Sequence, residues 1–264
     1  MIVLDRVRNI AAEAGAAILN VYAGDFSVRA KQDASPLTEA DLAAHAIIER
    51  RLREEFPEIP LLSEESSEQA PYAIREQWQR YWLVDPLDGT KEFVKRNGQF
   101  TVNIALIDGQ RPVAGIVHVP VSGATYWGSE PAGAFKSTPA DSEMPIRCSA
   151  MPTSGPLRVV GSSSHQSAAT SAYLDALKQR YGELSFLSLG SSLKICMVAE
   201  GAAHVYPRLA PTMEWDTAAA HAILNAAGGR LVRHDTGQDL PYNKPDLLNP
   251  WFVAEAPRAA GRGE

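Results

Sequence analysis

Cysteine is scarce in this chain, with only Cys148 and Cys196 among 264 residues. They form no C-x-x-C pair, no zinc spacing and no disulfide framework, so a reducing compartment, the cytoplasm, is expected. Basic charge is also short: Lys plus Arg number 25 against 31 Asp plus Glu, for a formal net charge of −6. A sequence-blind DNA or RNA binder needs a basic stripe to displace counterions, so no nucleic-acid polymer is expected as partner. A small anionic ligand stays open, because one site can carry its own field. Long apolar runs are missing too. No window approaches the roughly 18 uninterrupted apolar residues of a membrane span. The opening MIVLDRVRNIAAEAG carries Asp5, Arg6, Arg8 and Glu13, which is no signal-peptide core. Peripheral association with the cytoplasmic side of the inner membrane and the oligomeric state are left open. There is no internal repeat and no low-complexity segment.

What is present reads as an ordinary globular protein, 45% hydrophobic and 21% charged. A chain of this length buries roughly 75% of its unfolded surface, so folding needs no disulfide or structural metal. Val3, Val7, Ile10, Ala14, Ile18 and Val21 recur at helical spacing and predict an amphipathic helix ending before Gly24. A second helix is expected from about Thr38 to Phe56, with Leu42, Ile48, Leu52 and Phe56 inward. Five β-type runs follow, at residues 60–63, 81–84, 101–107, 113–119 and 125–127, most of them punctuated by Gly or Pro. The second half alternates: strand 157–160, helix 167–181, strand 184–189, helix 192–200, extended 203–206, helix 216–227, then strands around 229–232 and 251–253. Such alternation predicts an α/β fold with helices packed on a mostly buried sheet. The Pro-, Ser- and Thr-containing stretch 137–156 is the expected seam between an N-terminal half, residues 1–136, and a C-terminal half, residues 157–264.

The most informative stretch is Val84-Asp-Pro-Leu-Asp-Gly-Thr-Lys-Glu-Phe93. A hydrophobic strand delivers Asp85 at its end, Pro86 stiffens the turn, and Asp88 follows three residues later. Two carboxylates that close, with the Leu87 carbonyl between them, supply the oxygen donors a hard cation such as Mg²⁺ prefers. Gly89 and Thr90 sit where a helix can begin and present free N–H groups to an anion. A surface turn rich in Asp and Gly is the plain alternative. Leu61-Leu-Ser-Glu-Glu-Ser66 is another apolar strand ending in acids, Glu64 and Glu65. Glu214-Trp-Asp-Thr-Ala-Ala-Ala220 places Asp216 at the head of an Ala-rich helix, where an N-cap role would explain it equally well. Thr38-Glu-Ala-Asp41 likewise has the form of a capping box with Asp in place of Glu.

Taken together, Glu64-Glu65, Asp85-Pro-Leu-Asp-Gly-Thr90 and Trp215-Asp-Thr-Ala-Ala219 resemble the signature of the inositol monophosphatase superfamily, Mg²⁺-dependent and lithium-sensitive phosphatases of small phosphorylated compounds. The resemblance runs from Lys31 to about Ala227 with the motifs in the family's order. Within the superfamily, the bacterial CysQ-type 3'(2'),5'-bisphosphate nucleotidases are nearest. Ser35-Pro-Leu-Thr-Glu-Ala-Asp41, residues 85–107, Gly190-Ser-Ser-Leu-Lys194, Val198-Ala-Glu-Gly201 and Tyr206-Pro-Arg208 carry that narrower match. The resemblance implies a layered αβαβα sandwich of the sugar-phosphatase type, with the active site between the halves. It implies that Glu64, Asp85, the Leu87 carbonyl, Asp88 and Asp216 hold two or three Mg²⁺ ions. Glu65 would support that cluster from behind and counts with the catalytic set. Asp41 and Thr90 would orient and deprotonate the attacking water, and the Leu87–Thr90 stretch, through the Gly89 and Thr90 N–H groups, would hold the phosphate. The expected reaction is direct in-line hydrolysis, with metal ions activating water and neutralising the departing alkoxide.

Lys194 and Arg208 are candidate cations for a phosphate that is not being cleaved, and Ser191 adds a hydroxyl donor. Ordinary surface charge is the alternative reading of both cations. The resemblance assigns Ser191, Lys194 and Arg208 to the 5'-phosphate and ribose of a bisphosphorylated nucleoside, and His165 to the adenine or sugar. The implied substrate is adenosine 3',5'-bisphosphate, converted to AMP and phosphate in sulfur metabolism. Two alternatives stand beside it: a phosphatase of inositol or sugar monophosphates, and a non-catalytic sensor of nucleotides or divalent ions. A serine hydrolase built on Ser162-Ser-Ser-His165 has little support, because triad geometry is spatial rather than sequential.

Overall fold

The apolar periodicity of the first segment folds as α1 (Leu4–Tyr22), which buries Val7, Ile10, Ala14 and Ile18. The computed structural model describes residues 4–24, 28–30, 36–161 and 167–258. Two short antiparallel strands, β1 (Val28–Ala30) and β2 (Pro36–Thr38), lead into α2 (Glu39–Glu55). α2 buries Ala40, Asp41, Ala44, Ile48 and Leu52. Leu42, expected inward, is instead 48% exposed. It lies six residues from Ile48, and six steps of 100° put it on the far side of the helix. Ile48 therefore contributes the roughly 1.5–3 kcal/mol of a buried aliphatic side chain, and Leu42 does not.

Seven strands then build the first sheet: β3 (Leu61–Ser63), β4 (Arg80–Asp88), β5 (Thr101–Asp108), β6 (Arg111–Val119), β7 (Ala124–Ser129), β8 (Gly133–Ser137) and β9 (Met144–Ile146). They lie side by side in chain order, with β3 parallel to β4 and the rest antiparallel. A 3₁₀ turn (Glu64–Gln69) and α3 (Tyr72–Arg75) join β3 to β4, and the single-turn α4 (Thr90–Val94) joins β4 to β5. β8 and β9 were not anticipated. β9 falls within the expected seam and is a three-residue edge strand containing Pro145, a residue that sheets accept at edges.

The remaining elements are β10 (Leu157–Gly161), α5 (Ala168–Tyr181), β11 (Leu184–Ser188), α6 (Leu193–Ala199), β12 (Val205–Arg208), α7 (Ala218–Ala226), β13 (Arg230–Arg233) and β14 (Phe252–Glu255). The second sheet has the order β11-β10-β12-β14-β13. α1 and α2 pack on the outer face of the first sheet, where Ile10, Ile18, Ile48 and Leu52 meet Trp82, Ile104 and Ile116. α6 and α7 lie between the sheets in a core that joins Leu83, Ala105 and Val117 to Ile195, Ile223, Leu231 and Phe252. Tyr173, Leu174 and Leu177 of α5 cover Leu157, Val159, Val205 and Val253 on the second sheet's outer face. The layers therefore run helix, sheet, helix, sheet, helix, as expected. Among the described residues no helix is long and apolar enough to cross a membrane.

One close approach sets the middle layer. Gly115 on β6 and Gly128 on β7 are cross-strand partners. A β-carbon on Gly115 would stand 2.1 Å from the Ala219 carbonyl oxygen, and one on Gly128 would stand 3.2 Å from the Ile223 α-carbon. The paired glycines make a flat spot on which α7, headed by three alanines, lies with its backbone against the sheet. Asp216, two residues before α7, is thereby brought down onto the ends of β4 and β5.

Candidate active site

Alternation along β4 sends Tyr81 and Leu83 to the core between the sheets, and Trp82 and Val84 to the α1/α2 side. Continued regularly, Asp85 and Asp88, three residues apart, would face opposite ways. They do not, because the register slips: Asp85 pairs with Asn103 and Asp88 with Thr101, so β4 carries one residue more than β5. This bulge includes Pro86, which has no N–H to give the ladder, and it restores Leu87 to the α1/α2 side. The strand thus continues through Asp88 rather than ending at Asp85, and both carboxylates emerge on the inner face. Leu87 N–H donates to Asp85 Oδ1 at 3.0 Å and holds the bulge closed.

Asp216 arrives from the other half. It lies in a 3₁₀ turn (Glu214–Asp216), and α7 begins only at Ala218, so it does not head the helix as expected. Its Oδ2 accepts from the Met213 N–H at 2.9 Å. Glu214 anchors the turn: fully buried, it accepts from the main-chain N–H groups of Asn243 (2.8 Å) and Lys244 (3.0 Å) and from the Lys244 ammonium. Arg75 of α3 donates to the Asn243 side chain at 2.9 Å, which ties the segment after Glu64 and Glu65 to the same loop.

Carboxylate oxygens of Asp85, Asp88 and Asp216 lie within 4.8 Å of one another and can hold a metal ion. Burial raises the Asp85 carboxyl well above the usual range, and the charges of Glu64, Asp88 and Asp216 raise it further, together with a hydrogen bond to Glu64. Asp216 is raised likewise by burial, then by Asp88 and Glu64. Glu64 therefore stands beside the cluster, and Glu65 follows it in the same turn. Among the described residues no Lys or Arg pairs with Asp85, Asp88 or Asp216. An all-oxygen, anionic donor set without its own counter-ion fits a hard divalent cation.

These raised values carry a sign. A group that holds its proton more tightly folded than unfolded stabilises the fold at low pH, and that stability is lost as pH rises through the raised folded value. A bound cation removes the penalty. The melting temperature with a saturating divalent cation should therefore exceed that in chelator by a gap that widens as pH rises above the ordinary carboxylate range. Ligand at 100 times Kd adds about 2.7 kcal/mol, which amounts to several degrees. Thermal melts at each pH check this; a gap independent of pH would contradict it.

Among the described residues Asp41 meets Thr38 and Thr90. Its Oδ2 accepts from Thr38 N–H (2.8 Å) and Thr38 Oγ1 (2.6 Å), completing the capping box of α2. Its Oδ1 faces Thr90 Oγ1 at 3.4 Å, and the same hydroxyl lies 3.4 Å from the Leu87 carbonyl oxygen. The capping role and the Asp41–Thr90 pairing therefore hold together. Gly89 caps α4 with φ +93°, a left-handed conformation that suits glycine, and a β-carbon there would approach Ser191 Cβ to 3.3 Å. The 190–194 segment is thus laid directly over the start of α4.

Lys194 is not surface charge. It is 6% exposed, donates from Nζ to the Ser191 carbonyl at 2.6 Å, and lies 5.5 Å from the Tyr206 ring centroid. Burial pushes its pKa down to about 8, against the pull of Asp88 and with the push of Arg208. Arg208 donates to the Pro211 carbonyl at 3.1 Å, while its buried Nε has no partner among the described residues. Beside it a cleft is lined by Gly161, Thr170, Phe186, Tyr206 and Leu209. His165, with the whole Ser162–His165 cluster, lies outside the described residues.

Three residues of the site were not anticipated. Ser192 and Asn103 reach Asp88, and Tyr206 stands between Lys194 and Arg208. Asn103 had a signal: it is a lone amide in the apolar strand Thr101–Asp108, at an inward position shared with Ala105 and Ile107.

Comparison with known proteins agrees with this geometry. The inositol monophosphatase family model matches residues 3–262. The 3'(2'),5'-bisphosphate nucleotidase CysQ of Escherichia coli K12 is 46% identical over 253 residues, covering 94% of this chain and 98% of that one. The protein of the same name from Buchnera aphidicola is 39% identical over 266 residues, covering 96% and 93%. The crystal structure of CysQ from Bacteroides thetaiotaomicron superposes with a TM-score of 0.85 at 41% identity, covering 98% of this chain and 99% of that one. Matched along its whole length in sequence and in fold, the chain belongs to the inositol monophosphatase family.

Proposed function

We propose that this protein is a Mg²⁺-dependent 3'(2'),5'-bisphosphate nucleotidase that hydrolyses adenosine 3',5'-bisphosphate to AMP and phosphate, serving sulfur assimilation. The observation that carries the reading is the adjacency of two opposite electrostatic sites. A carboxylate cluster on β4 and the 214–216 turn adjoins a buried Lys194 and a half-buried Arg208 whose Nε has no partner among the described residues. A monophosphate needs only the first. The names of the relatives support the same choice.

Glu64, Asp85, the Leu87 carbonyl, Asp88 and Asp216 would hold two or three Mg²⁺, with Glu65 behind them. The bound ions would supply a water of lowered pKa and neutralise charge on the departing oxygen. Thr90 orients the attacking water and Asp41 Oδ1 receives its proton, while the N–H groups of Gly89 and Thr90 hold the phosphate being cleaved. The water oxygen bonds to phosphorus as the ester P–O bond breaks. Ser191, Lys194 and Arg208 hold the spectator phosphate and ribose, the cleft beside Phe186 takes the base, and His165 is assigned to the same end. Residues 1–136 then supply the metal and water groups apart from Asp216, and residues 157–264 the nucleotide groups. Retention of the Asp41–Thr90 pair beside the carboxylates favours an enzyme over a sensor. Inhibition by lithium is part of the same proposal.

Lys194→Ala tests the substrate assignment. A lost charge-assisted hydrogen bond is worth about 1.5–3 kcal/mol, so KM for the bisphosphate should rise about 10- to 100-fold. KM for inositol 1-phosphate should stay within about threefold. An unchanged KM for the bisphosphate removes Lys194 from the substrate site.

A further inference from the structure

The Ser192 hydroxyl sits where three segments meet. Its Oγ is 2.6 Å from Asp88 Oδ2, 2.6 Å from the Asp216 main-chain oxygen and 2.8 Å from Asn103 Nδ2. The Ser192 N–H donates to the same Asp88 oxygen at 2.6 Å. Asn103 Nδ2 at 3.3 Å and Thr101 Oγ1 at 3.5 Å complete its surroundings. Ser192 is 3% exposed and Asn103 1%, so these bonds are shielded from water. Asp88 Oδ2 is thus saturated by donors from β5 and the start of α6, whereas among the described residues nothing donates to Oδ1. The carboxylate has one oxygen committed to the protein and one left for the cluster. The one Ser192 hydroxyl proton is shared between Asp88 Oδ2 and, at the same distance, the carbonyl of Asp216, which comes from the other half.

We propose that Ser192 is a positioning residue that presents Asp88 to the cation through Oδ1 alone and fixes the Asp216 turn beside it. The same residue precedes Lys194 by two positions, at the head of the same helix. Its bonds therefore also set the spacing between the cation site and the buried ammonium. The inference rests on the reading of Asp85, Asp88 and Asp216 as cation ligands. Groups that orient metal ligands from behind typically change metal affinity by about 10- to 100-fold when removed.

Titration calorimetry of the full chain with Mg²⁺ alone, without substrate, tests it. Ser192→Ala should weaken Mg²⁺ binding about 10- to 100-fold, and Ser192→Thr, which keeps the hydroxyl, should stay within about threefold of wild type. The Mg²⁺ concentration for half-maximal turnover should shift by the same factor, with kcat restored to within a few-fold at saturating Mg²⁺. Melting in chelator checks that each variant is folded. If Ser192→Ala does not fold, Ser192→Cys, which keeps the volume and weakens the donor, carries the same expectation. A folded Ala or Cys variant with wild-type Mg²⁺ affinity overturns the inference. Failure of the wild-type chain to bind Mg²⁺ overturns instead the cation reading beneath it.

Discussion

Asp88→Asn should lower kcat/KM for the bisphosphate by at least about 10³-fold, the equivalent of roughly 4 kcal/mol of transition-state stabilisation. The loss exceeds one unit of charge for a geometric reason. Oδ2 of Asp88 faces the N–H and hydroxyl of Ser192 and the amide of Asn103, all of which call for an acceptor. An asparagine there must turn its oxygen toward Ser192, and its NH₂ then points into the cation site. The substitution both removes an anionic donor and aims a hydrogen-bond donor at the cation. In chelator the same variant should melt no lower than wild type, because Asp88 is among the charges that raise Asp85 and Asp216. Steady-state kinetics at saturating Mg²⁺ together with melts in chelator check both halves. Turnover within tenfold of wild type would contradict the assignment.

Asp41→Asn should lower kcat by about 10²- to 10⁴-fold, the usual worth of a general base, while leaving Mg²⁺ affinity within about threefold. The cap of α2 and the approach to Thr90 sit on different oxygens of Asp41, so the proposed catalytic duty can be separated from the cap. Thr90→Val removes the partner of Oδ1 and should lower kcat without touching the cap of α2. Thr38→Ala removes the hydroxyl donor to Oδ2, leaves the main-chain N–H of position 38 bonded to it, and should cost about 1 kcal/mol of stability, with kcat held within about fivefold. Calorimetry and kinetics on the three variants read the split. If Thr38→Ala and Thr90→Val affected kcat alike, Asp41 would be acting only as a cap.

Most of the elements were legible because periodicity reports burial. α1, α2 and the central strands bury residues that recur at 3.6 or 2 positions. Leu42 was misplaced by spacing alone. β8 and β9 escaped because short edge strands carry little alternation. The carboxylates themselves were visible in the motifs, but how Asp85 and Asp88 come to share a face was not. That depends on a one-residue register slip against β5, which pairing reveals and composition does not. Ser192 stayed hidden between two residues already chosen, Ser191 and Lys194. Its partners Asp88, Asn103 and Asp216 lie 104, 89 and 24 residues away. Asp41 was visible with both of its explanations; the structure shows the cap on one oxygen and Thr90 facing the other.

A nucleotide that carries two phosphates is the substrate expected to be preferred. Phosphate release in Mg²⁺ should be compared across adenosine 3',5'-bisphosphate, its 2',5' isomer, inositol 1-phosphate and fructose 1,6-bisphosphate. The highest kcat/KM is expected on one of the two nucleoside bisphosphates, with AMP as the product. A much higher kcat/KM on inositol 1-phosphate would contradict it.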